Sequence, residues 1–257
     1  MSASPRNFAW YELMTTDTAG AKAFYAKVVG WQVKNVAMPG IDYALLMEGE
    51  REVCGVTALP AEFKALDAPP HWVGYVGVDS TDATAEAIRE RGGAIHVPPT
   101  DIPGIGRFAM IADPQGTGLA LFTPEDPPER EPVAPETPGH VGWHELCAAD
   151  WERAFDFYGG IFGWTKADAV DIGPMGTYQL FAAGGPPIGG MFNQPAPGQT
   201  PFWLYYFNVA DIDAATERLK QAGGQVLNGP MQVPGGAWIV QASDPQGAMF
   251  ALTGRRG

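Results

Sequence analysis

Between Thr18 and Val29 the apolar side chains Ala21, Phe24, Tyr25 and Val28 recur at the i, i+3, i+4, i+7 spacing of one helix face. The stretch before it, Trp10 to Met14, reads as a strand. Asp17 or Thr18 offers an N-cap oxygen to the helix, and Gly30 a C-terminal stop. Strands at Tyr43–Met47 and Val53–Ala58 follow, separated by the polar turn from Glu48 to Arg51. The same order then starts again. A strand at Trp72–Val78 leads into a helix at Asp82–Arg91, closed by Gly92 and Gly93. Strands follow near Ala94–Val97, Arg107–Ile111 and Leu119–Phe122, the last one after the turn residues Asp113-Pro-Gln-Gly116. The repeating unit is therefore β-α-β-β-β, met twice by residue 123.

A longer period encloses this one. Trp10, Glu12, Leu13, Asp17, Phe24, Tyr25, Gly30 and Trp31 reappear as Trp143, Glu145, Leu146, Asp150, Phe157, Tyr158, Gly163 and Trp164, a displacement of 133 (143 minus 10). Trp72, Tyr75, Gly92 and the Asp113 turn reappear as Trp203, Tyr206, Gly223 and the Asp244 turn, displaced by 131 (244 minus 113). Self-similarity of this length means two copies of one folding unit. The expectation is one domain at 8–123, a proline-rich linker at 124–139 and a second domain at 140–253. Helices are expected at Ala149–Gly160 and Asp211–Ala222 and a closing strand at Gly247–Leu252. Prolines at 124, 127, 128, 132, 135 and 138 favour an extended spacer between the copies.

Composition narrows the partners. The formal charge is -13, from 16 basic and 29 acidic residues, which opposes phosphate backbones and argues against nucleic acid. No apolar run approaches the ~20 residues of a bilayer span, so no membrane partner is expected. The start of the chain has no apolar stretch behind a basic one, and the two cysteines, Cys54 and Cys147, stand at non-equivalent places in the copies. Reduced thiols in a cytoplasmic protein are the expectation.

A strand leading into Asp, then Phe-Tyr, then Gly-Trp, with a final Asp-Pro-x-Gly turn, resembles the vicinal oxygen chelate superfamily. That group includes glyoxalase I, bleomycin-resistance proteins, fosfomycin-resistance enzymes and extradiol dioxygenases. The tandem arrangement, with Trp-x-Glu-Leu opening each half, is similar to the two-domain glyoxalase-like proteins of bacteria. The resemblance implies an α+β fold of two glyoxalase-like domains. Each would be built from two βαβββ units forming a curved, cupped mixed sheet with helices outside and a cavity inside. It also implies a monomer with an internal pseudo-two-fold, or a homodimer.

Metal-dependent relatives place a ligand, usually His, on the first strand of a unit pair and a carboxylate on the strand after the Asp-Pro-x-Gly turn. Counting from Asp17 and Asp150, the first position falls on Trp10 and Trp143, whose indoles donate only. Counting from Asp113 and Asp244, the second falls on Ala120 and Ala251. At softer alignment, Val73 and Leu204 stand where a second His would, and Gly55 and Gly189 near the other carboxylate. No metal and no cofactor are expected.

Strand alternation puts Trp10, Glu12 and Met14 on one face, and Trp143, Glu145 and Cys147 on the equivalent one. If the ligand position faces the cavity, so do both carboxylates. A buried carboxylate is costly unless paired, hydrogen-bonded or protonated. Glu12 and Glu145 are thus candidates to hold a polar ligand group or to act as general base, or else to pair with a neighbour and fix the sheet. Tyr75 and Tyr206 are expected to face inward, with Trp72 and Trp203 at the rim or packing beneath. Arg107 is expected beside the cavity, meeting an anionic ligand or Glu12, with Trp238 in its place in the second copy. The leading reading is a cavity protein that binds a small aromatic or planar molecule without the usual His/Glu metal site. The alternative is a lyase, isomerase or oxygenase using Glu as base or a non-standard metal site that recruits Glu12, Glu145, His144 or His71.

Overall fold

Four βαβββ units follow one another along the chain in a computed structural model that describes residues 6–38, 40–61, 63, 68–126, 133–196 and 198–257. The first comprises β1 (Phe8–Thr15), α1 (Thr18–Val28), β2 (Gln32–Met38), β3 (Ile41–Glu48) and β4 (Arg51–Ala58). The second comprises β5 (His71–Gly77), α2 (Thr81–Glu90), β6 (Ala94–Ile102), β7 (Gly106–Ala112) and β8 (Gly118–Pro124). The third has β9 (Val141–Ala148), α3 (Trp151–Phe162), β10 (Thr165–Asp171), β11 (Thr177–Ala182) and β12 (Pro187–Asn193). The fourth has β13 (Phe202–Asp211), α4 (Ile212–Gln221), β14 (Gln225–Gln232), β15 (Trp238–Ser243) and β16 (Met249–Arg255). Part of the expected linker, 127–132, lies outside the described residues.

Two mixed sheets result, ordered β2-β3-β4-β1-β5-β8-β7-β6 and β10-β11-β12-β9-β13-β16-β15-β14, an α+β architecture. In each unit the first strand pairs in parallel with the last, as β1 with β4 and β13 with β16, and the remaining pairings are antiparallel hairpins. A helix crosses from the first strand to the far side of its unit. Its start is fixed by the residue expected to cap it: Asp17 accepts the Gly20 N–H, and Asp150 accepts that of Arg153. Gly30 ends α1 at φ +101, where a side chain would be strained. Strand β2 had no counterpart in the sequence reading. Its residues are mostly exposed on both faces, so no alternation betrays it.

Compactness divides the chain differently from the repeats. One compact unit gathers residues 1–10, 74–131 and 144–203; the other gathers 11–73, 132–143 and 204–257. Each thus joins half of one copy to half of the other. In the second compact unit, α1 packs against α4, and Tyr25 of α1 lies fully buried. Its hydroxyl donates to Asp244 Oδ2 (3.2 Å) and accepts from Trp72 Nε1 (2.9 Å). Around it stand Trp31, Phe207 and Phe250, each within 6.3 Å of the Tyr25 ring centre. Asp244 also accepts the backbone N–H groups of Gln246 and Ala248, both at 2.9 Å, so the Asp-Pro-Gln-Gly turn presents a fully engaged carboxylate. Arg218 of α4 caps the carbonyl of Val28 at the end of α1 (2.9 Å).

The first compact unit repeats the scheme with the roles exchanged between copies. Tyr158 of α3 donates to Asp113 Oδ2 (3.0 Å) and receives Trp203 Nε1 (3.4 Å). Gln115, from the same turn as Asp113, clasps the backbone N–H and C=O of Asp150 at 2.7 and 2.9 Å. Trp72 and Trp203 therefore pack beneath the sheet, in the core, and not at a rim; they are 5% and 6% exposed.

Removing the Tyr25 hydroxyl leaves a buried carboxylate and an indole N–H short of a partner. Tyr25→Phe is expected to lower unfolding free energy by about 1–3 kcal/mol in urea titration, and Tyr158→Phe by a similar amount. Losses below ~0.5 kcal/mol in both would show that ring packing alone holds these junctions.

Candidate functional site

Tyr11 and Leu13 point to the helix side: the Tyr11 ring stands 5.4 Å from that of Tyr205, and Leu13 is fully buried. Alternation then sends Trp10, Glu12 and Met14 to the opposite face of β1. In β9, Leu146 is likewise fully buried on the helix side, and Trp143, Glu145 and Cys147 take the other face. Trp10, Glu12 and Trp143 are half-buried, whereas Met14, Glu145 and Cys147 are buried.

Each glutamate has a glycine beside it and a tyrosine above that glycine. In the third unit, Glu145 stands opposite Gly190 in the β9–β12 register, and the Tyr178 ring covers Gly190 where any Cβ would strike it. Tyr178 donates its hydroxyl hydrogen to Glu145 Oε2 at 2.9 Å. Phe192, opposite Cys147, tilts against the Tyr178 ring at 5.7 Å. Burial, and next the Glu145 carboxylate, push the Cys147 thiol up to about 11, so it is a neutral packing group and no thiolate nucleophile. In the first unit, Glu12 stands opposite Gly55, and a Cβ there would meet the hydroxyl of Tyr43 and lie 3.2 Å from Glu12 Oε2. Met14 and Thr57 take the places of Cys147 and Phe192.

Tyr43, Tyr178 and Gly190 were missed in the sequence reading, although a signal existed. Tyr43 and Tyr178 are 135 apart (178 minus 43), as are Gly55 and Gly190 (190 minus 55). The counterpart of Gly55 is therefore Gly190, one residue beyond the Gly189 expected. Gly189 faces the other way, against the Phe181 ring and the His144 carbonyl.

Tyr75 and Tyr206 are buried, opposite Ala120 and Ala251 respectively. Tyr206 accepts a hydrogen bond from Gln241 Nε2 (2.9 Å), a residue whose counterpart, Met110, stands opposite Ala120. Arg107 and Trp238 are corrected. Each lies three residues before Met110 or Gln241, an odd number, so the pleat turns it to the helix side. There Arg107 grips Asp82 of α2 with two bonds (2.7 and 3.0 Å) and Asp101 with a third (2.7 Å). Trp238 lies under the Arg256 guanidinium (4.1 Å), which is itself bound to Asp213 of α4.

The donor set does not fit the superfamily's metal. Its expected positions hold the indoles of Trp10 and Trp143 and the buried methyls of Ala120 and Ala251. Among the described residues no three His, Cys, Asp or Glu side chains gather to hold an ion. His144, a conceivable replacement ligand, belongs to the helix-side core. It stacks on Phe8 (4.0 Å, 5°) and binds the Ile188 carbonyl through Nδ1 (2.6 Å). Burial lowers its pKa to about 4, against the opposing pull of that carbonyl, so it is a neutral core imidazole.

Comparison with known proteins agrees with this fold. A family model described as the Glyoxalase/Bleomycin resistance protein/Dioxygenase superfamily matches residues 7–121 and again 137–252. CFP32 of Mycobacterium tuberculosis, which carries a provisional glyoxylase name, is 31% identical over 245 residues, covering 95% of this chain and 92% of that one. The anthracycline biosynthesis protein DnrV of Streptomyces peucetius is 29% identical over 260 residues, covering 95% and 91%. A trihydroxybiphenyl dioxygenase from Sphingomonas wittichii shares the fold at TM-score 0.68 and 16% identity, over 98% of this chain and 91% of that one. A Mn(II)-bound glyoxalase from Novosphingobium aromaticivorans does so at 0.64 and 17%, over 99% and 83%.

Two outcomes are expected. The His144 pKa of about 4 lies below the ordinary value of 6.5, so the unfolded chain takes up the proton first as pH falls. The stability this residue contributes is complete above that ordinary value and lost toward pH 4, a swing of about 2–4 kcal/mol. His144→Gln should flatten the fall in unfolding free energy over that window; an identical fall in both proteins refutes the assignment. Gly190→Ala should displace Tyr178 and lower stability by about 1–3 kcal/mol, whereas an unshifted urea midpoint would show that the ring has room to move.

Proposed function

We propose that this chain, which belongs to the Glyoxalase/Bleomycin resistance protein/Dioxygenase superfamily, binds a small planar aromatic molecule on the Glu12 and Glu145 faces of its sheets, without a metal ion. The observation that carries this reading is the doubled Glu-Tyr-Gly arrangement. Glycine gives up its side chain so that a tyrosine can lie across it, and at Glu145 that tyrosine pins the carboxylate from one side. A carboxylate fixed in this way is a preorganised acceptor for phenol O–H or ring N–H groups. On the same faces, the positions where metal-dependent members carry ligands hold Trp10, Trp143, Ala120 and Ala251.

The neighbouring side chains set the kind of body that fits. Tyr178 and Phe192 present a tilted pair of rings beside Glu145, a surface suited to stacking a flat molecule. Beside Glu12 the equivalent positions are Met14 and Thr57, which are softer and smaller. The two copies thus differ in selectivity, with the more aromatic wall in the second. DnrV, whose name places it in anthracycline biosynthesis, makes hydroxylated polycyclic aromatics the first compounds to try. The acidic charge of -13 further favours neutral or cationic ligands over anionic ones on these carboxylate-bearing faces.

Calorimetric titration of chelator-treated protein with 1,8-dihydroxyanthraquinone and 1-naphthol is the test. Micromolar binding is expected. Glu145→Gln and Tyr178→Phe should each weaken it about tenfold, equivalent to ~1.4 kcal/mol. Full affinity in both Glu12→Gln and Glu145→Gln, or binding that appears only after a divalent metal is restored, would sink the reading.

A further inference from the structure

A cavity of about 490 Å³ opens where the ends of β13 and β16 meet the β14–β15 turn and the segment leading into β9. Its walls include Glu136, Asn208, Gly236, Thr253 and Arg255, none of which belongs to the Glu12 or Glu145 clusters. The volume is that of a small-ligand site.

Comparing the two copies explains why the space exists. Subtracting 131 places Phe122 at the position of Thr253, Gly106 at that of Ala237 and Ile105 at that of Gly236. In the first copy the Phe122 ring lies against Gly106, so close that a Cβ on this glycine would meet it at 2.9 Å. In the second copy the ring is a threonine, and Ala237 adds back only a methyl. Gly236, at φ +89, has nothing nearer to its missing Cβ than Gln232 Nε2 at 3.9 Å. A ring and a branched side chain have gone, and no larger group fills their volume. The result is a recess open to solvent, floored by the buried Asn208 and Val209 and rimmed by the exposed Glu136, Gly236 and Arg255, with room for a small occupant.

The mouth of the cavity indicates what that occupant carries. Arg255 meets the Glu136 carboxylate at 3.2 Å, with both side chains largely exposed. Such an exposed, solvent-screened pair contributes little to stability. A second carboxylate can therefore take its place and gain two parallel bonds from the guanidinium. Glu136 is held ready at that point by Asn208, a buried amide whose Nδ2 donates to the carbonyls of Pro135 (2.7 Å) and Thr137 (2.9 Å) on either side. The backbone thus fixes an internal carboxylate against the arginine that guards the opening.

We propose that this cavity is a second binding site, for a small organic carboxylate, with Arg255 as its anchor and Glu136 as the internal competitor. It is independent of the metal-free aromatic site, and either can fail without the other. The carboxylate pairs with Arg255 while the body of the molecule enters the space that Phe122 fills in the first copy. Glu136 gives up its place on Arg255, a competition that weakens binding and selects against anions that have no apolar body to bury.

The test is calorimetric titration of the full chain with benzoate and 2-naphthoate, with 2-naphthamide as the uncharged control. At least one carboxylate should bind in the micromolar to millimolar range and the amide at least about tenfold more weakly. Arg255→Gln should weaken carboxylate binding about tenfold or more, and Glu136→Gln should tighten it about threefold. Thr253→Phe, which restores the first copy's residue, should abolish binding. Arg255→Gln alters only an exposed side chain, so it remains decisive if Thr253→Phe proves unstable. The proposal is overturned if neither carboxylate binds at millimolar concentration, if the amide binds equally well, or if Arg255→Gln leaves the affinity unchanged. A response to Glu145→Gln with none to Arg255→Gln would place the probe at the aromatic site and likewise overturn it.

Discussion

A buried tyrosine hydroxyl shared between an indole and an aspartate holds each compact unit together, and most of the architecture depends on it. Tyr25 joins Trp72 to Asp244, and Tyr158 joins Trp203 to Asp113. In each case the tyrosine comes from one copy of the repeat and the aspartate from the other. A carboxylate buried at this depth is tolerable only when every lone pair is engaged. The tight Asp-Pro-Gln-Gly turn meets this condition by aiming two of its own N–H groups at Asp244 and leaving one oxygen for the tyrosine. The motif that looks like a simple strand reversal is thus the socket for a helix from the other copy. This is why neither copy forms a compact unit from its own residues alone.

With the aromatic side chains of the helices committed to those junctions, the sheets have one further face. The pleat does the sorting. Tyr11, Leu13 and Phe207 go to the core, and Glu12, Glu145 and Tyr206 go to the other face. On that face the superfamily's ligand positions are filled with groups that have no lone pair to give, and a glutamate held by tyrosine stands close by. It lies two residues along the strand from the tryptophan, where a glycine on the neighbouring strand makes space for the tyrosine.

The strongly periodic elements were legible: the helix of Ala21, Phe24, Tyr25 and Val28 is present, and all four of these side chains are buried. The caps at Asp17 and Asp150 were legible as well, because N-capping is a local event. Strand β2 was not, because a strand exposed on both faces has no alternation to read. The candidate site was half legible. The face taken by Glu12 and Glu145 follows from parity on their own strands, but Tyr43, Tyr178 and Gln241 reach their partners from other strands, through registers that hairpin geometry fixes. The misplacement of Arg107 and Trp238 has the same source, since a strand's parity relative to its neighbour depends on a register that no single strand encodes.

The amino-acid sequence by itself determined the duplication, the recurring strand–helix–strands order, the net charge of -13 and the residue types at Trp10, Trp143, Ala120 and Ala251. All of these are properties of residue identity and spacing. Only the tertiary structure decided which half of each copy packs with which, that His144 is a neutral core group, and that a glycine opposite each glutamate admits a tyrosine. It also revealed the opening left where Thr253 replaces a phenylalanine. These outcomes depend on contacts between residues far apart in the chain, and the energy of burying a ring or a carboxylate is fixed only when those partners have met.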